Sequence, residues 1–159
     1  MCFRSKAYAA MAAFSFIAAA HAGADTAPKI DRVRAHLYYA PSGRFDERDL
    51  LTTQMALWNT IGGGGDASEA SRITLVLVEV SGRVEHGVRG ALRLHARTPT
   101  RSLSEQEVPL YLLHSGVRNT VPFLVYGTGC EVLTLELTWT GVANAPPATR
   151  REIPFACGE

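Results

Sequence analysis

The chain has few lysines and cysteines, and no hydrophobic run long enough to cross a membrane. Of its 16 basic residues only Lys6 and Lys29 are lysines. Together with the many alanines and glycines, this preference for arginine is typical of GC-rich bacterial genomes. The longest apolar stretch, residues 7–20, is shorter than the roughly 20 residues that span a bilayer. We therefore expect a bacterial protein with no membrane span in its mature form.

The chain also lacks the motifs of common catalytic and cofactor sites. It has no G-x-S-x-G and no H-E-x-x-H. The four glycines at 62–65 precede Asp66 instead of the Lys-Ser/Thr that a phosphate-binding loop requires. Outside the leader, no metal-ligand spacing connects the histidines, which are His36, His86, His95 and His114. We expect no cofactor, no metal and no enzymatic activity.

The first 22 residues have the pattern of a cleaved signal peptide. Arg4 and Lys6 precede the apolar stretch, and Ala20-His21-Ala22 provides a small-x-small cleavage site before Gly23. The predicted location is therefore the periplasm or the exterior. Cleavage removes two of the 16 basic residues and none of the 15 acidic ones, which leaves a charge of about −1. A near-neutral mature chain is not typical of a nucleic-acid binder.

Two cysteines, Cys130 and Cys157, remain after cleavage of the leader. In an oxidising compartment such a pair predicts a disulfide. Residues 131–140 alternate strictly, as in a half-buried strand, and 151–159 can return beside them. A hairpin centred near 143–144 places the two cysteines opposite each other. Alternation puts the Cys130 side chain on the polar face of the hairpin and the Cys157 side chain on its core face. We therefore expect a bulge near Gly129 or Pro154 that brings them to the same face.

Alternating or β-branched segments recur between the leader and this hairpin, and turn residues such as Pro41-Ser42-Gly43 separate them. The predicted strands are 32–40, 73–80, 91–97, 107–114, 120–127, 131–140 and the C-terminal segment. They predict an all-β chain, a single antiparallel β-sandwich of about seven to eight strands over 32–159, after a flexible segment at 23–31. Its size and strand count are immunoglobulin-like, although the Cys…Trp…Cys spacing of antibody domains is absent. A small barrel is the alternative.

Residues 44–60 are ambiguous. Leu51, Met55 and Trp58 fit one face of a helix, with Asp46 or Asp49 as a cap. Residues 53–60 also alternate like an edge strand. We favour an extended edge segment over 53–60, preceded by a short turn of helix.

Two surfaces are candidates for binding. Trp58 and Asn59 stand beside the glycine run and Asp66, where an aromatic side chain next to a loop can anchor a partner. Arg93, His95 and Arg97 form a basic stripe on one predicted strand face, which Arg101 continues. That stripe would suit an acidic partner or an anionic glycan.

These features predict an exported, non-enzymatic binding module whose partner is another protein of the bacterial envelope. It would act as an inhibitor, an immunity protein or an assembly accessory. The first alternative is a carbohydrate-binding module that uses Trp58, Tyr38 and Tyr111 as stacking platforms. The second is a small hydrolase that uses the acidic residues of 46–69, which are Asp46, Glu47, Asp49, Asp66 and Glu69.

Overall fold

The chain folds as two antiparallel four-stranded sheets that pack against each other. The computed structural model describes residues 26–57, 65–83, 89–111 and 118–155. No helix in these ranges has the length and hydropathy needed to cross a membrane. The predicted signal peptide, the cleavage site, Trp58, Asn59, His86, His114 and Cys157 lie outside the described residues.

Sheet one contains four strands in the order β2-β1-β3-β6. Their bounds are β1 Thr26–Tyr39, β2 Arg44–Phe45, β3 Ile73–Arg83 and β6 Asn119–Tyr126. Strand β3 is central, as its β-branched run predicts, because it pairs with β1 on one side and with β6 on the other. Strand β1 begins at Thr26, and Thr26, Lys29 and Ile30 pair with Arg83, Ser81 and Val80 of β3, with register shifts on both sides of Lys29–Ile30.

Sheet two has the order β5-β4-β7-β8. Its strands are β4 Arg89–Arg97, β5 Ser102–Tyr111, β7 Leu133–Thr140 and β8 Thr149–Ile153. Strands β7 and β8 form the predicted hairpin, with Leu133 opposite Ile153 and Leu137 opposite Thr149. This register is centred on residue 143, within one residue of the expected position. Strand β8 ends at Ile153, and a hydrogen bond of 3.1 Å from Phe155 N to Ile153 O turns the chain at Pro154.

The core lies between the two sheets and is formed by alternate residues of the strands other than β2, whose two residues are exposed. Val76, Val78 and Val80 point inward from β3, and Leu133, Leu135 and Leu137 point inward from β7. The predicted sandwich is therefore confirmed, and the two sheets are not closed into the alternative barrel. At the junction of β5 and β6, Gln106 Nε2 donates a hydrogen bond of 2.7 Å to Leu124 O. A side chain thus satisfies a carbonyl on the edge of sheet one.

Residues 44–50 cover the other edge of sheet one. After β2, Asp46 N donates to Leu37 O at 2.9 Å and Leu50 N donates to Ala35 O at 2.8 Å. Asp49 Oδ1 accepts a hydrogen bond of 3.2 Å from Leu51 N, and Thr53 N donates to Asp49 O at 2.9 Å in a turn that does not continue as a helix. From there to Leu57 the chain has no regular secondary structure except an isolated bridge at Ala56. The described part of 44–60 therefore contains no helix, and residues 58–60 of the favoured edge segment lie outside the described residues.

Candidate functional site

The predicted basic stripe lies on the outer face of sheet two, where acidic side chains flank it. Arg93 donates two hydrogen bonds to Glu107 Oε2, at 3.0 and 2.8 Å. His95 lies opposite Glu105 on β5 and Glu136 on β7. Arg97 is half-buried on the same strand. The stripe is therefore one row of a mixed-charge sheet surface, and its basic character is largely neutralised by neighbouring strands.

Arg101, which was expected to extend the stripe, has a different role. Its Nη2 donates a hydrogen bond of 3.0 Å to Gly127 O, at the end of β6. Asp66 also serves the fold. Its Oδ2 accepts a bond of 2.9 Å from Ala56 N, and its own N donates to Ala56 O at 2.9 Å. Asp66 thus holds its own part of the chain against Ala56.

A buried carboxylate organises the segment after β2. Asp46 is only 8% exposed, and both its oxygens accept hydrogen bonds from the Arg48 guanidinium at 2.8 Å. Asp46 Oδ2 also accepts from the Tyr39 hydroxyl at 2.7 Å, and that hydroxyl accepts from Ser68 N at 3.2 Å. The bonds from Arg48 and then Tyr39 hold the pKa of the Asp46 carboxyl well below its usual range. Arg48 also donates to the Asp66 carbonyl.

Four of the five acidic residues of 46–69 are therefore engaged in holding loops together, and the fifth, Glu47, is exposed. Asp46 binds Arg48, Asp49 caps the turn and Asp66 caps Ala56 N. Glu69 Oε1 lies 3.4 Å from Arg44 Nη2. A cavity of about 480 Å³ opens beside them, and Tyr39, Arg48 and Ser68 are part of its lining.

His36 is buried, whereas alternation along β1 predicted that it faces solvent. That expectation is wrong because the 46–48 segment covers this part of the sheet. The side chain is only 5% exposed, and its Nδ1–H donates to the carbonyls of Asp46 and Arg48 at 2.9 and 3.0 Å. The imidazole also contacts the Phe45 ring, with 5.5 Å between ring centroids. The ring of Phe45 is nevertheless 51% exposed.

Phe45 belongs to a larger hydrophobic surface on the outside of sheet one. The pairing of β1 with β2 puts Tyr38 beside Phe45, and the pairing of β3 with β6 puts Leu75 beside Leu124. We call this surface the apolar face and define it by six residues of four strands, namely Tyr38, Phe45, Leu75, Pro122, Leu124 and Tyr126.

The apolar face contains a groove and two exposed aromatic rings. The groove has a volume of about 500 Å³, and five residues of the apolar face line it together with Gln106. Tyr126 is 60% exposed on the far strand from Phe45. Among the described residues only one other large hydrophobic side chain is exposed, Val132 at 40%, and it lies outside this surface, just before β7.

The sequence contained a signal for this surface. Residues 73–78 are apolar at every position except Thr74, which is typical of a strand covered on both sides. In the structure Val76 is buried in the core, whereas Leu75 and Leu77 are only half-buried on the outside. A strand that is apolar on both faces but covered by the core on only one indicates a surface that another molecule can cover.

The described residues form no metal centre, and one residue of the predicted disulfide, Cys157, lies outside them. The described ranges contain no group of three or more His, Cys, Asp or Glu side chains placed to hold a metal ion. Cys130 lies in the segment between β6 and β7, and the disulfide with Cys157 stays a prediction. No protein-family model matches the chain, and a search of curated proteins finds no significant relative.

Proposed function

We propose that this chain is an exported, non-enzymatic module that binds another protein of the bacterial envelope through the apolar face. The observation that carries the proposal is the surface itself. Aromatic rings exposed by 51% and 60% stand on opposite edge strands, with aliphatic side chains between them. A contiguous exposed apolar patch on a small domain is typical of a protein interaction site.

The scaffold under the apolar face supports a binding role. Phe45 directly precedes Asp46, whose backbone and side chain are held by Leu37, Tyr39 and Arg48. Tyr126 lies at the end of β6, opposite Ile73 of the central strand. Both aromatic residues are therefore carried by paired backbone, and a partner would pay little entropy to order them.

The export part of the proposal rests on the sequence. The signal-peptide pattern places the chain in the periplasm or outside the cell, where the Cys130–Cys157 disulfide would form. The hairpin register supports that pair, since Leu133 lies opposite Ile153, and in the sequence Cys130 precedes Leu133 by three residues and Cys157 follows Ile153 by four. The turn at Pro154 breaks the regular alternation just before Cys157.

A carbohydrate ligand is the second candidate, favoured by the aromatic side chains of the apolar face. Tyr38 and Phe45 are neighbours on paired strands, and Tyr126 lies on the far edge of the same face. Flat aromatic rings can stack on sugar rings. The aromatic side chains expected to stack on a sugar differ in part from those that the sequence indicated. Tyr38 is common to both sets, and Phe45 and Tyr126 are added. Of the others, Tyr111 ends β5 in sheet two and Trp58 is outside the described residues.

Site-specific photocrosslinking in cells tests the proposal. A photoreactive amino acid replaces Tyr126, and a matched variant carries it in place of the exposed Val132. We expect a crosslinked adduct with a second polypeptide from position 126 and none from position 132. Equal yields from both positions, or no protein adduct from position 126, would contradict protein binding through this face. Calorimetric titration with soluble envelope glycans tests the carbohydrate alternative on the same purified chain.

A further inference from the structure

The outer surface of sheet one, which includes the apolar face, changes from apolar to charged along its strands. Its aromatic end contains Tyr38, Phe45 and Tyr126. From there the outward positions of β3 pass through Leu75 and Leu77 to Glu79 and Ser81, so the surface becomes charged at its other end.

The charged end has more cationic than acidic side chains. We call it the cationic end and define it by Lys29, Arg32, Arg34 and Arg118. Among the described residues two carboxylates accompany it, with Asp31 at 3.0 Å from Lys29 and Glu79 at 3.0 Å from Arg34. Arg32 lies opposite Glu79 in the register but is exposed, and in the described ranges it has no carboxylate within ion-pair distance.

Arg118 belongs to the same end. It immediately precedes β6, whose Asn119 pairs with Val80, and it is exposed. Hydrogen bonds from Ser81 and Lys29, with the nearby charge of Arg118, lower the pKa of the Asp31 carboxyl. Two exposed arginines, one on β1 and one beside β6, therefore remain available to an incoming anionic group.

The dimensions of this surface fit one segment of a partner better than a second copy of the chain. From Ile73 to Ser81 it is about 26 Å long at about 3.3 Å per residue, and four strands make it about 14 Å wide. A stable dimer interface takes about 800 Å² from each partner, and a surface of these dimensions is smaller. An α-helix about 10–12 Å across and about 18 residues long would cover it.

We infer that the apolar face takes an amphipathic helix of the partner protein whose hydrophobic stripe covers Leu75 and Leu124 and whose acidic end meets Arg32 and Arg118. The inference rests on the proposed protein-binding function and specifies the chemistry of its partner. Apolar contacts supply affinity along the stripe, and the charges fix the direction in which the helix lies.

Binding of two designed peptides to the full chain tests this inference by fluorescence anisotropy. Both are 18-residue helical peptides with the same leucine stripe, and they differ in a terminal block of four residues, glutamate in one and lysine in the other. At 50 mM salt we expect the glutamate peptide to bind at least about tenfold more tightly, with a smaller advantage at 500 mM. The double variant Arg32→Ser/Arg118→Ser should remove the advantage, and the control Arg151→Ser on sheet two should retain it.

The remaining outcomes separate this inference from the proposed function. Equal affinity for the two peptides, preference for the lysine peptide, or no saturable binding of either would overturn it. A dimer in sedimentation that Tyr126→Ser dissociates would also overturn it, because a second copy would then occupy the face. If position 126 still crosslinks to a different protein in those cases, the proposed protein binding stands and only the acidic-helix partner is rejected.

Discussion

The hydroxyl of Tyr39 donates a hydrogen bond of 2.7 Å to Oδ2 of Asp46. Tyr39 is a buried residue of β1, and Asp46 directly follows the exposed Phe45. This bond therefore connects the core of the sandwich to the strand that carries one aromatic side chain of the apolar face. Arg48 strengthens the connection because its guanidinium binds both carboxylate oxygens of Asp46.

Asp46→Asn should lower the free energy of unfolding by about 1–3 kcal/mol, since it weakens charge-assisted hydrogen bonds at a buried position. Urea denaturation followed by circular dichroism at pH 7 measures the loss. Glu47→Gln, at the exposed neighbouring position, is the control and should change stability by less than about 0.5 kcal/mol. An equal loss in both variants would contradict the structural role of Asp46.

The contribution of Asp46 should also depend on pH. The pKa of the Asp46 carboxyl is lowered in the folded chain by Arg48 and Tyr39, whereas in the unfolded chain its pKa is about 3.9. On acidification the unfolded state takes up the proton first, so the stabilisation is present above about pH 4 and is lost as pH falls below it. The difference in stability between wild type and Asp46→Asn should therefore shrink from pH 6 to pH 2.5. A difference that is constant with pH would contradict the ion pair.

The centre of sheet two should be sensitive to truncation. Leu137 is fully buried and lies opposite Leu94 of β4. Leu137→Ala should cost about 2–5 kcal/mol, because the change removes buried methyl groups and leaves a cavity. Val132→Ala is the control, and its cost should be small because that side chain is 40% exposed. Similar losses from the two changes in denaturant unfolding would contradict the core described here.

Two glycines should respond differently to the same substitution. A Cβ on Gly82 would lie 2.9 Å from Cα of Pro28, so β1 and β3 must separate there to accommodate alanine. A Cβ on Gly129 would meet nothing within 4 Å. Gly82→Ala should cost about 1–3 kcal/mol through overpacking, whereas Gly129→Ala should be near neutral. Thermal unfolding of both variants checks this. An unchanged unfolding temperature of the Gly82→Ala variant would contradict the close packing of Gly82 against Pro28.

The predicted disulfide should stabilise the C-terminal hairpin. The bond would close a loop of about 27 residues, for which the chain-entropy relation gives about 3–4 kcal/mol. Cys130→Ser should therefore lower stability by a similar amount in non-reducing buffer and by little in a reductant. Thiol titration of the denatured, exported chain should find no free thiol. Two free thiols would reject the pair.

The sequence predicted the buried face of most strands because alternation depends only on local backbone geometry. Val121, Phe123 and Val125 point inward as their spacing indicates. Alternation does not say which strand lies beside which, so it did not bring Tyr126 onto the same sheet as Phe45. The burial of His36 escaped prediction for a related reason, since the carbonyls that cover it come from 46–48, after the chain has turned at Pro41-Ser42-Gly43.

The basic stripe shows the same limit in electrostatic form. Arg93, His95 and Arg97 do share one face of β4, as period-two spacing requires. The charge of a sheet surface depends on the neighbouring strands, and only the pairing of β4 with β5 places Glu105 and Glu107 beside this row. Strand β4 considered alone therefore predicted a basic surface, whereas the surface of the assembled sheet has mixed charge.

The most direct test of the central claim is the affinity of the purified chain for the protein crosslinked at position 126, measured by biolayer interferometry. The variant Phe45→Ser/Tyr126→Ser removes both exposed rings of the apolar face, and Val132→Ser removes an exposed hydrophobic side chain elsewhere. We predict that the double variant binds at least about 30-fold more weakly, the loss expected of interface anchors of about 2 kcal/mol or more. Val132→Ser should bind like wild type. Unchanged affinity in the double variant, with both variants folded, would contradict binding through the apolar face.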